Sequence, residues 1–87
     1  MREAPQDADP DRWHRHFAAL ANDRAWTLAE QRRDGRDDAE LLAAAHAAGD
    51  AQRHAESYRR ASEALAAIAD DEDRELVART FRQVPAP

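Results

Sequence analysis

His46, Asp50 and His54 recur at four-residue intervals near the middle of the chain. Imidazole nitrogens and carboxylates are zinc ligands, and on one continuous helix an i, i+4 spacing sets neighbouring members on a shared face. With His14 as a fourth donor brought across a helix pair, that arrangement makes a metal site. The spacing matches no strong signature such as HExxH. Gly49 and Asp50 also lie inside the series, and a turn there scatters it. The favoured reading of His54 is therefore a neutral, hydrogen-bonded side chain in a packed face near Tyr58, without metal or cofactor. His54 is also the histidine expected to be buried. His14 and His16 are two apart and point to different sides of one helix, His14 beside an alanine face and His16 among the charges.

Other chemistry finds less support. Ser57 and Ser62 fall in helical sequence and not on a strained nucleophile turn. No carboxylate stands alone in an apolar run that would raise its pKa. Two glycines are too few for a phosphate-cradling loop, and the absence of cysteine removes disulfides, thiolate ligands and a Cys nucleophile. No catalytic residue is assigned, and a non-enzymatic role is expected. The net charge of −5 argues against nucleic acid, because phosphate binding needs a basic face. Arg53, Arg59 and Arg60 could face outward together, but Glu56 and Glu63 lie among them. No run of 18 apolar residues and no basic-then-apolar leader is present, so the expectation is a soluble cytoplasmic protein with no membrane partner.

The elements that must position these residues are helical. Residues 1–9 hold one proline and no apolar periodicity, and read as a disordered lead-in. Asp9 and Pro10 are suited to the cap and first position of a helix over 10–33. At 100° per residue Trp13, Phe17, Leu20, Ala21 and Leu28 form its apolar stripe. Ala18, Asn22, Ala25 and Ala29 make a second face of small residues, with Trp26 at its far edge. An arc this wide predicts two neighbours for the first helix. Gly35 suits a C-terminal cap, and Asp37 or Asp38 an N-cap. A second helix is expected over 38–48, a third from Asp50 to about Ala69, and a fourth over 70–83 opened by the acids of "DDED". Residues 84–87, "VPAP", form a Pro-containing tail. Gly costs about 1 kcal/mol against Ala inside a helix and Asp is a strong N-cap, so Gly49-Asp50 predicts a tight turn. The expected fold is all-α: one domain over 10–83, a small bundle of about four helices with a helical hairpin around Gly49-Asp50.

"GDAQRHAESYRRASEAL" (49–65) resembles the second half of a tetratricopeptide-type repeat. In that likeness Gly49-Asp50 is the inter-helix turn, and Tyr58 and Ala61 are the aromatic and small residues of the second helix. His54 stands where the repeat usually has Ala, and Asp38 where it usually has Trp. "WHRHFAALANDRAWTLAEQ" (13–31), "AAAHAAGD" (43–50) and "AIADDEDRELVARTFRQVPAP" (67–87) are similar to the two ends of a bacterial family of uncharacterised tetratricopeptide-like helical proteins. Members of that family are longer, so this chain resembles a shortened version. The resemblance implies a helical scaffold and brings no reaction or catalytic residues.

Alanine supplies much of the 43% hydrophobic content, and large apolar side chains are few. Each contributes roughly 1.5–3 kcal/mol when buried, against about 1–2 kcal/mol of chain entropy per ordered residue. So thin a core predicts a partner surface on Trp13, Phe17, Trp26, Tyr58 and Phe81. The expected function is a small scaffold or protein–protein interaction module that self-associates, as a homodimer or larger. The alternatives are a metal-binding helical protein using His46, Asp50, His54 and His14, and an acidic, antitoxin-like inhibitor of a basic partner protein.

Overall fold

The computed structural model describes residues 4–86; the first three residues of the lead-in and Pro87 of the tail lie outside it. It is all-helical, with α1 over Pro10–Arg33, α2 over Asp38–Ala66 and α3 over Asp71–Gln83. Trp13 stacks on Tyr58, Phe17 on His54, and Arg24 reaches Ala47. Later residues of α1 thus meet earlier residues of α2, so the two helices run antiparallel as a hairpin.

Local chemistry sets the helix ends. The Asp9 side chain accepts from the Asp11 N–H, with Pro10 at the first position and fully buried. At the other end of α1, Gly35 takes φ +69, the left-handed region that costs a side chain least when there is none. The Gly35 N–H donates to the Arg32 carbonyl and the Arg36 N–H to that of Gln31. These are the two bonds of a Schellman cap. Asp37 caps α2 through the Glu40 N–H, and Asp70 caps α3 through the N–H groups of Glu72 and Asp73.

The predicted turn at Gly49-Asp50 does not form: the predicted second and third helices are one helix of 29 residues. The reason is the seam with α1. Leu41, Ala48, Ala55 and Ser62 are seven apart, and so are Ala44, Ala51, Tyr58 and Leu65. All eight are buried or half-buried. Two seven-residue series in one phase make a continuous coiled-coil-like stripe, and breaking the helix at residue 49 would put half of it out of register. That outweighs the roughly 1 kcal/mol cost of an interior glycine. Gly49 has ordinary helical φ, and Asp50 pairs along the helix with Arg53. The end of α2 also shifts, from about Ala69 to Ala66, and three helices replace the four expected.

Residues 4–9 are engaged. Asp7 and Pro85 form an antiparallel bridge, the Ala8 N–H donates to the carbonyls of Phe81 and Val84, and the Ala86 N–H to that of Gln6. The Trp13 indole N–H donates to the Asp7 carbonyl at 2.6 Å. This clasp ties the C-terminal end of α3 to the start of α1. α3 itself buries no residue fully. The molecule is a rod of 54 × 22 × 16 Å with a radius of gyration of 16.4 Å, where a compact chain of this length has about 12 Å.

Candidate functional site

α2 carries His46 and Asp50 on its outer side and His54 at the edge of the seam, and all three residues are exposed. Asp50 and His54 have local partners. Arg53 takes the Asp50 carboxylate, and the His54 Nδ1–H donates to the Asp50 carbonyl at 2.7 Å. The fourth candidate, His14, is half-buried in the seam, where Nδ1–H donates to the Ala55 carbonyl at 3.1 Å. A carbonyl only accepts, which assigns the proton to Nδ1 in both rings. Among the described residues no three His, Asp or Glu side chains converge as a metal site. His54 is hydrogen-bonded, as the sequence suggests, but it is not buried: α2 holds its ring over Phe17, centroids 4.9 Å apart and planes 22° from parallel.

The aromatic residues gather at one end of the seam. Trp13 stacks on Phe17 at 5.6 Å and on Tyr58 at 5.8 Å, and Phe17 lies nearly parallel to Tyr58. His16 leaves the charges and sets its ring edge-on to Trp13 and Phe17. Offset and edge-on pairs at these separations are favourable beyond their buried area. This cluster is the core of the hairpin, and Trp13 is only 7% exposed. Of the residues singled out for interaction, Trp13, Phe17 and Tyr58 therefore pack within the chain, and Phe81 is half-buried on α3.

Trp26 differs. It is 61% exposed, and Ala18, Asn22, Ala25 and Ala29 around it on α1 are exposed as well. Asn22, Ala25, Trp26 and Ala29 line an open hollow of about 260 Å³. The two neighbours predicted for α1 reduce to one helix, α2, so its small-residue face stays uncovered. A second apolar hollow of about 300 Å³ lies where α2 meets α3, lined by Ala61, Ala64, Leu65, Ile68, Val77 and Phe81.

Arg15, Arg53, Arg59, Arg60, Arg74 and Arg82 pair with carboxylates along their own helices. Arg59 bonds both Glu56 and Glu63, and Arg60 lies 3.6 Å from Glu56. The guanidinium of Arg59 donates to Glu56 and holds its carboxyl below the usual range against an opposing cost of desolvation, with the charge of Arg59 and lesser pulls from Arg60 and His14 adding to it. Glu56 and Glu63 in turn raise Arg59 above its ordinary value. No helix of the described residues is long and apolar enough to cross a membrane.

Two residues, one in the seam and one in the clasp, escape a reading by hydrophobicity. Arg24 sits between Leu20 and Leu28, and its Nη1–H donates to the Ala47 carbonyl at 3.0 Å. Asp7 receives the Trp13 indole through its backbone, which no side-chain pattern reveals. The four-residue steps from Leu20 to Arg24 to Leu28 are the signal that could have found Arg24. Neither a family model, nor a curated protein, nor a solved structure matches this chain.

Proposed function

We propose that this chain is a small, non-catalytic helical interaction module that self-associates through the outer face of α1. The carrying observation is Trp26, 61% exposed on a face where Ala18, Asn22, Ala25 and Ala29 are exposed too. A large aromatic side chain contributes roughly 1.5–3 kcal/mol when it leaves water, and small neighbours let another helix approach closely enough to cover it. The rod shape supports the reading. Two helices in contact leave each with one side uncovered, and two such hairpins side by side make a four-helix layer.

Sedimentation equilibrium over micromolar to millimolar concentrations tests the proposal. The native chain is expected to approach twice its monomer mass, and Trp26→Glu to stay monomeric with an unchanged circular dichroism spectrum. A native chain that remains monomeric throughout defeats it.

A further inference from the structure

The exposed side of α1 is ordered. Asp11, Arg15, Ala18, Asn22, Trp26, Glu30 and Arg33 follow one another at three- and four-residue steps, and every one is exposed. Charges of both signs stand at each end, with small and aromatic residues between. Turning a second α1 end over end about Asn22 pairs each position i with 44 − i. Asp11 then faces Arg33, Arg15 lies beside Ala29 and Glu30, and Trp26 falls on Ala18. A parallel arrangement sets Arg15 on Arg15, Glu30 on Glu30 and Trp26 on Trp26. Like charges opposed in this way repel, and the two indoles compete for one place.

We infer that α1 docks antiparallel on α1 of a second copy of this chain, with the two-fold axis at Asn22. This rests on the self-association proposed above and names its geometry. The contact is isologous, so each indole covers the small-residue stretch of the other copy and the interface holds two such contacts. Asp11 and Arg15 already form an exposed ion pair at 2.6 Å. Glu30 and Arg33 of the second copy extend it to four charges at each end of the interface. Networks of this kind contribute more than isolated surface pairs. The face is about 36 Å long, from 24 residues at about 1.5 Å each. One helix face is at the low end of specific interfaces, which places association in a concentration-dependent regime.

The absence of cysteine makes the register directly readable. In this chain, Asn22→Cys puts one thiol of each copy at the axis. Ala29→Cys puts the two thiols 14 residues apart along the helices, about 21 Å, beyond the roughly 7 Å Cα separation a disulfide spans. Arg15→Cys alone is equally distant. Arg15→Cys mixed with Ala29→Cys brings one of each together. Under mild oxidation, Asn22→Cys is expected to form covalent dimer roughly tenfold faster than either other variant alone. The mixture is expected to form the mixed dimer. Sedimentation of the reduced proteins runs alongside. Dimer mass with cross-linking fastest elsewhere, or no faster at position 22, overturns the register and leaves self-association standing. Monomer mass at every concentration, without preferential cross-linking, overturns both.

Discussion

The indole N–H of Trp13 donates to the backbone carbonyl of Asp7 at 2.6 Å, joining the seam between α1 and α2 to the segment that clasps the end of α3. One side chain thus serves two functions: its ring packs on Phe17 and Tyr58, and its polar edge holds residues 4–9 in place. Trp13→Phe keeps an aromatic ring and removes the donor. The expected loss is about 1–3 kcal/mol, from the unmade bond and the smaller ring, read as a lower urea midpoint. Hydrogen exchange should locate it, with the amides of Ala8 and Ala86 losing protection first. Unchanged protection there would show that the clasp holds without the indole.

The two glycines are expected to respond in opposite directions. Gly35 has φ +69, so Gly35→Ala forces a side chain into the left-handed region and should cost about 1 kcal/mol. Gly49 is helical, and a Cβ there meets only the tip of the flexible Arg53 side chain at 3.4 Å. Gly49→Ala should therefore stabilise by about 1 kcal/mol, the difference in helix propensity. If Gly49→Ala destabilises the chain, the continuous α2 is wrong and the turn read from sequence returns.

The contrast between those glycines marks what a sequence can carry. The cap at Gly35 and the starts at Asp9, Asp37 and Asp70 were legible because the deciding bonds lie within a few residues. So was the all-helical class, whereas the wide apolar arc of α1 predicted two neighbours and only α2 covers it, which leaves Trp26 exposed. The Gly-Asp pair misled because its local preference for a turn competes with burial against α1, a partner about 25 residues away in sequence. The two seven-residue series in α2 are the sequence trace of that burial. His16 and the Asp7 carbonyl were invisible for the same reason, since only tertiary contact gives each its role, and Arg24 was marked only by its four-residue steps from Leu20 and to Leu28. The metal reading of His46, Asp50 and His54 had spacing in its favour but nothing to say that local partners would occupy Asp50 and His54.

Gln31 occupies a seam position on α1, and its Oε1 is buried without a hydrogen-bond partner among the described residues. An acceptor stripped of water and left unmatched costs about 1–3 kcal/mol. Gln31→Leu removes that atom and places an apolar side chain of good helix propensity in a position that already faces α2. The expected result is a gain of about 1–2 kcal/mol in thermal or urea unfolding. The backbone carbonyl of Gln31 keeps its bond from Arg36, so the Gly35 cap should be unaffected.

Glu56 gives the chain a signature on the acid side. Arg59, and to a smaller degree Arg60, favour its charged form, so its carboxyl titrates lower in the folded chain than in the unfolded one. The unfolded state then binds more protons between the two pKa values, and stability rises with pH across that window. The contribution is fully present above the ordinary carboxylate pKa and is lost as pH falls through the lowered folded value. Glu56→Gln cannot titrate and cannot form the charged pair. Its urea midpoint should lie below that of the native chain at neutral pH, and the two curves should converge as the pH falls through the lowered folded value. Because the pair is exposed, raising the salt concentration should shrink the neutral-pH gap. A gap that is constant with pH and insensitive to salt would assign the loss to packing of the Glu56 stem and not to its charge.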